Sequence, residues 1–413
     1  MARWLYWLLL AVPLAFLAEF LHWSEVLIFA AAAIGLIPLA GLIGQATEEL
    51  AEHVGPLVGG LLNATFGNAP ELIIGIVALK AGLLDVVRAS ITGSIIGNTL
   101  LVLGMALFLG GWRNGRQYFD ARNAGQYASM LALAVVGLVL PALANAVGQT
   151  GIPGERGPGV NINAISVTFS ILLLFSYVAY LAYTVFHVRD KPRQEPSEVR
   201  EGRVPAPEED GPPLVPPSAV LADEQQVELA QEAAGAAQAK PALPGPPTTG
   251  TREISVPGKS DRKGFWRSIG LLAVATVATA IVSEVLVGAI EPVTHQLGWT
   301  QLFVGLIIVP IVGNAAEHAS AIQMALKDRV DVSMAIAAGS SIQVALLVAP
   351  VLVLVSFAFT QPLGLVFRPL ELVIFGLATL LYPLISLDGE STWLEGLLLT
   401  IFYVMVGVVA FFL

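Results

Sequence analysis

Glu71 and Glu317 are the residues of this chain best placed to do chemistry. Each lies in the middle of a long apolar stretch and closes the same short phrase, Gly67-Asn68-Ala69-Pro70-Glu71 in one place and Gly313-Asn314-Ala315-Ala316-Glu317 in the other, 246 positions later. A carboxylate at mid-membrane depth is costly and marks a functional site by default. Around the two motifs the chain offers Asn68, Asn314, Ser94, Ser340 and Ser341, with Asn98 and Gln343 one turn further on. Two carboxylates with amide and hydroxyl oxygens suit a hard dication such as Ca2+, which takes six to eight oxygen ligands. There is no cysteine, and histidine is scarce, so a soft-metal site is not expected.

The same carboxylates account for exchange. An unpaired buried glutamate favours its neutral, protonated form, and a bound dication reverses that preference. Cation and proton then compete for the same oxygens, so Glu71 and Glu317 are also the expected proton-binding groups. Pro70 lacks an N–H and crowds the Phe66 carbonyl, while Gly67 permits unusual dihedrals. Pro310 and Gly313 are expected to do similar work in the second copy. Glu284 reads either as a pathway residue or as a satisfied structural glutamate. His318 reads as a packing residue or a proton carrier. Glu48, Glu49 and Glu52, at a cytoplasmic helix end, read either as a solvated face or as a group that gathers cations, and Glu19 and Glu371 are expected at the interface.

The elements that position these residues follow from composition. Of the 413 residues 55% are hydrophobic and 13% charged, against about a quarter charged in soluble proteins. Eleven apolar spans are expected, at roughly 4–21, 25–44, 56–80, 86–110, 124–146, 163–187, 265–290, 302–326, 332–357, 367–386 and 393–413. The first is read as a retained helix rather than a signal peptide, because no clean cleavage site follows it. The fold class is therefore an all-α membrane protein. A net charge of −10 is no nucleic-acid signature. Lys and Arg number 17 on the side of the N-terminus and 4 on the other, which places the N-terminus in the cytoplasm and the C-terminus outside.

Positions n and n+246 align without a gap from Gly59 to Leu103, and 15 of those 45 pairs are identical, including Asp85/Asp331, Gly93/Gly339 and Ser94/Ser340. Five spans per copy is an odd number, so the second copy enters the membrane the opposite way round. The expected organisation is a first helix over 1–24, a repeat over 25–189, a cytoplasmic linker over 190–263 and an inverted repeat over 264–413. The linker holds 13 of the 31 acidic residues and several Pro-Pro pairs, with a possible helix from Ser218 to Ala239. Glu71 lies about 14 Å from the end of its span near Lys80, close to the midplane.

At these residues the chain resembles the Ca2+/cation antiporter superfamily, and specifically its cation–proton exchanger branch. The stretch from Leu61 to Ile73 is similar to the family's first signature and Gly313 to His318 to its second. Gly93-Ser94-Ile95-Ile96-Gly97-Asn98 and Gly339-Ser340-Ser341-Ile342-Gln343 resemble the helices that follow each. The resemblance implies a Ca2+/H+ antiporter working by alternating access, with Glu71 and Glu317 as the cation- and proton-binding carboxylates and Asn68, Asn314 and the serines completing the site. No resident cofactor is implied. The sodium/calcium exchanger branch usually has Ser or Thr where this chain has Asn68 and Asn314, which argues against sodium coupling. The alternatives are a Na+- or K+-coupled Ca2+ exchanger, a Mn2+/H+ exchanger and, more remotely, a cation channel. An intramembrane enzyme has no HExxH or GxSxG motif to support it.

Overall fold

The computed structural model describes residues 5–149, 161–186 and 262–413. The expected linker, including the helix from Ser218 to Ala239, lies outside them, apart from Arg262 and Lys263, which already begin a helix. In chain order the helices are α1 (Ala11–Phe20), α2 (Glu25–Val54), α3 (Pro56–Phe66), α4 (Ala69–Lys80), α5 (Leu84–Asn114), α6 (Ala121–Gln149) and α7 (Ile162–Phe186). They continue as α8 (Arg262–Gly288), α9 (Ile290–Leu297), α10 (Gln301–Gly313), α11 (Ala315–Leu326), α12 (Val330–Ser356), α13 (Pro369–Ser386) and α14 (Trp393–Phe412). A two-residue ribbon, Gln117–Tyr118 against Glu390–Ser391, is antiparallel.

Among the described residues eight helical stretches are long and apolar enough to cross a membrane, and α10 with α11 forms a ninth span bent by 64°. The remaining two expected spans are α1 with the turn before it, and α3 with α4, whose break splits them into helices of 11 and 12 residues. Proline explains most of the breaks. Its ring strikes the carbonyl four residues earlier. Pro13 accordingly breaks the first span at Leu9, Pro70 ends α3 at Phe66, and Pro292 separates α8 from α9 after Gly288.

Pro38, Pro141 and Pro383 sit inside unbroken α-helices, whereas two other prolines are accommodated by a widened turn. The π turns Val304–Ile308 and Val344–Val348 are centred on Leu306 and Leu346, the carbonyls that Pro310 and Pro350 would strike. A third π stretch, Gly97–Val102, has no proline and lies one repeat before the second of these. Pro310 therefore does not break its span where Pro70 breaks the first. The second break falls at Asn314.

The 246-residue offset governs the backbone. Helix α4 runs from 69 to 80 and α11 from 315 to 326; α5 starts at 84 and α12 at 330. The turn that follows α4 places Gly82 at φ 77°, and the matching turn places Asp328 at φ 59°. In each turn one N–H closes the helix end, Leu83 to the Ala78 carbonyl and Arg329 to the Met324 carbonyl, both at 2.9 Å. Loop contacts also keep to the expected alternation of sides. Arg116 pairs with Glu390 at 2.7 Å and Gln117 Nε2 donates to the Ala325 carbonyl at 3.1 Å on one face. Arg368 pairs with Asp85 at 2.6 Å and Lys80 with Glu284 at 2.8 Å on the other.

Candidate functional site

Both carboxylates occupy the third position of a helix that begins at a break, Glu71 in α4 and Glu317 in α11. The first turn of a helix carries the positive end of its dipole, which favours a negative charge there. The preceding half-helices α3 and α10 end at the same breaks and direct carbonyl-rich C-termini to the centre, the polarity that suits a cation.

The two motifs face one another. A Cβ built on Gly313 would lie 3.3 Å from Glu71 Oε1 and 3.5 Å from its Cγ, and one on Gly67 would lie 3.7 Å from Glu317 Oε1. Each glutamate thus rests against the glycine of the other motif. The carboxylates are within electrostatic reach of each other. Both residues are half-buried, whereas Asn68, Asn314, Ser94, Asn98, Ser340 and Ser341 are buried.

Hydrogen bonds orient the amides. Asn68 Nδ2 donates to Gln343 Oε1 at 2.5 Å. Asn314 Nδ2 donates to Ser94 Oγ at 3.2 Å and to the Pro310 carbonyl at 3.0 Å. Asn98 Nδ2 donates to Ser340 Oγ at 2.9 Å. With their nitrogens occupied, the amide oxygens have no donor. Asn68 Oδ1, Asn314 Oδ1, Glu71 Oε2 and Glu317 Oε2 are all buried and unpartnered among the described residues. Buried polar atoms are nearly always satisfied, so four bare oxygens in two symmetry-related pairs call for a cationic or protonic partner. Among the described residues no group of three or more Asp, Glu, His or Cys gathers as a metal cluster. A dication between these motifs would draw on amides, hydroxyls, carbonyls and water besides the two carboxylates.

Six of the expected residues are paired by these hydrogen bonds, Asn68 with Gln343, Asn314 with Ser94 and Asn98 with Ser340, while Glu71 lies against Gly313 and Glu317 against Gly67. Ser341 is oriented differently. Its hydroxyl donates to the Ile95 and Ala337 carbonyls at 3.2 and 3.0 Å, a bond between α12 and α5 rather than a contact to a carboxylate. His318 follows Glu317 on α11 and is half-buried. Glu284 stands apart from the centre, paired with Lys80 at the end of α4 with both side chains more than half exposed.

The residue that sequence reasoning missed is Glu371. At the third position of α13, it is 1% exposed and packed against protein. Its Oε2 accepts the Arg368 N–H at 2.7 Å, and its Oε1 accepts the Thr92 hydroxyl at 3.2 Å. Thr92 lies two residues before Ser94, so Glu371 ties α13 to the helix that carries one side of the site. The Arg368-Pro369-Leu370-Glu371 spacing, in which the glutamate caps the backbone of its own helix, was the available signal.

The family model described as sodium/calcium exchanger protein matches residues 24–186 and 267–412. The chain belongs to this family. Among its relatives the Ca(2+)/H(+) antiporter of Aphanothece halophytica is 40% identical over 98% of this chain and 95% of its own length. The Ca(2+)/H(+) antiporter ChaA of Bacillus subtilis is 37% identical over 97% and 96% respectively. The solved structure of native YfkE matches with a TM-score of 0.72 at 34% identity, over 99% of this chain and 100% of that one. The family matches run across both membrane-embedded parts of the chain and include both Gly-Asn-Ala motifs. The protein is thus an integral membrane member of an exchanger family, and its paired motifs are the candidate ion site.

Proposed function

We propose that the chain is a Ca2+/H+ antiporter that binds its cation between Glu71 and Glu317. The observation that carries this reading is the set of four buried, donor-free oxygens from Asn68, Glu71, Asn314 and Glu317. Ser94 and Ser340, held by Asn314 and Asn98, flank them, and Gln343 holds Asn68. Two carboxylates at the centre of a membrane protein need a counter-charge. A dication supplies it from one side of the membrane and protons supply it from the other. Because the same oxygens take either, a filled or protonated site can change its exposure while an empty charged one is held back. That rule couples the two fluxes.

On this reading residues 25–189 and 264–413 are inverted repeats about the site, residues 190–263 link them, and the N-terminus is cytoplasmic. Relatives named Ca(2+)/H(+) antiporter support the choice of cation and of coupling ion. Ser341, Glu284 and His318 are left out of the cation shell. The test is uptake of radioactive calcium into proteoliposomes under an imposed proton gradient, with and without Na+ and K+. Uptake that follows the proton gradient alone is expected. Uptake that requires Na+ or K+, or unitary currents without proton coupling, would overturn it.

A further inference from the structure

Two pairs of glycines, related by the 246-residue offset, differ in what they touch. On Gly93 of α5 a Cβ would overlap the Leu306 carbonyl and the Pro310 ring. On Gly305 of α10 a Cβ would lie 2.6 Å from the Ala89 Cβ and 2.8 Å from the Val86 carbonyl. So α10 and α5 meet backbone to backbone, at a separation only glycine allows. The symmetry mate of Gly93 is Gly339 on α12. Among the described residues no atom comes within 4 Å of where its Cβ would be. The mate of Gly305 is Gly59 on α3, and it is seated elsewhere, with its Cβ position 2.8 Å from both the Cβ and the carbonyl oxygen of Ala51 on α2.

The polar contacts are unequal in the same sense. Asn314 reaches Ser94 across the repeats, but its mate Asn68 bonds Gln343 while Ser340 takes the Asn98 amide. One half-helix, α10, is docked on its core helix; its counterpart α3 leans on α2 and stands off α12. Two segments that align without a gap, with the glycines themselves kept, thus show a filled seat in one copy and a vacant one in the other.

We propose that Gly339 is the seat on which α3 docks in the other state of the exchange cycle, with the backbone at Gly59 and Gly60 lying where Gly305 and Leu306 lie on α5. This rests on the antiport reading, since only a cycle needs a second state. Gly339 touches none of the four donor-free oxygens. It acts by allowing α3 to close, as a positioning residue for transport. The absence of a side chain there is then a requirement of a conformation other than the one described, in which the space beside Gly339 is open.

The experiment is Gly339→Ala. In the present state the new methyl group meets open space, and alanine favours helix over glycine, so thermal stability should not fall. Exchange should drop at least tenfold, while Ca2+ affinity of the purified protein stays within about threefold, because the site is untouched. The chain has no cysteine, so a single Val86→Cys reports on the filled seat. Val86 lies on α5 with its Cα 3.2 Å from where a Cβ on Gly305 would be, and it is 1% exposed. Its labelling by a thiol reagent requires α10 to lift from α5. Gly339→Ala should slow that labelling several-fold, and Gly93→Ala, which crowds the filled seat, should speed it. Gly376→Ala, an exposed glycine of α13 with open space around it, is the control and should change nothing. Wild-type exchange or unchanged labelling in folded Gly339→Ala overturns the proposal, as does a loss of Ca2+ affinity, which would assign Gly339 to the site itself. If the unmodified protein exchanges no Ca2+ for protons, the antiport reading fails, and the labelling rates still decide the seat.

Discussion

Replacing Glu71 by glutamine keeps the shape of the side chain and removes one titratable group from the pair. If a dication displaces protons from both Glu71 and Glu317, the logarithm of the apparent Ca2+ affinity must rise with pH. Its limiting slope is about two in acid, where both carboxylates carry protons, and falls towards zero once both are ionised. The sign is fixed by which form binds: the ionised site holds the cation, so affinity is present at high pH and lost as pH falls. Glu71→Gln leaves one proton to displace, and the limiting slope should fall to about one. The affinity itself should also drop. At a charge separation of about 3 Å, and an effective dielectric between roughly 20 and 80, a dication and one carboxylate attract by about 3 to 11 kcal/mol. The lower figure already corresponds to more than a hundredfold in Kd. Because Glu317 sits against Gly67 much as Glu71 sits against Gly313, Glu317→Gln should give the same slope and a similar loss. Equilibrium binding of radioactive calcium to purified protein across a pH series measures both quantities. A slope that stays at two in either variant, or an affinity within threefold of the parent protein, would refute the shared-site reasoning.

Other outcomes follow from single contacts. Gly313→Ala places a methyl 3.3 Å from Glu71 Oε1; Ca2+ affinity should fall measurably in the same binding assay, with the fold intact by circular dichroism. Glu371→Ala removes the acceptor of the Arg368 N–H, while the Thr92 hydroxyl keeps the Arg88 carbonyl at 3.1 Å, leaving one part-buried donor unmet at a cost of about 1–3 kcal/mol; thermal unfolding should show a lower midpoint. Asp328 holds φ 59° where the other copy has Gly82, so Asp328→Gly should be tolerated, whereas Asp328→Val should destabilise by roughly 1–2 kcal/mol, again read from thermal unfolding. Deletion of residues 205–255 should leave proton-driven Ca2+ uptake in proteoliposomes active.

What the sequence made legible was whatever it repeats. The doubled Gly-Asn-Ala motif named both carboxylates and both asparagines, and the 246-residue register set the starts of α4 and α11 and of α5 and α12. Gly82 and Asp328 show why that register was recoverable even where residue types differ: the turn demands a left-handed backbone, and either residue adopts it. Three features were not legible. The π turns at Val304–Ile308 and Val344–Val348 depend on whether the chain answers a proline by breaking or by widening, and Pro70 and Pro310 answer differently. Ser341 and Ser340 are adjacent and chemically alike, so only the packing of α12 on α5 decides which hydroxyl turns to a backbone carbonyl. The burial of Glu371 was not legible because a carboxylate satisfied by one backbone N–H and one threonine has no long-range sequence signal. The contrast between Gly93 and Gly339 was not legible either: each precedes a serine at matching positions of the repeat, and only the packing shows that one is crowded and the other open.

The central claim is that one dication sits between Glu71 and Glu317 in place of protons. Crystals of the protein grown at high pH and soaked in Mn2+ or Sr2+, each an anomalous scatterer in place of Ca2+, would test it most directly. The account predicts a single strong anomalous peak within bonding distance of carboxylate oxygens of both residues, fading as the crystals are brought to acid pH. A peak held by other residues, or one between the two glutamates that persists unchanged in acid, would contradict it.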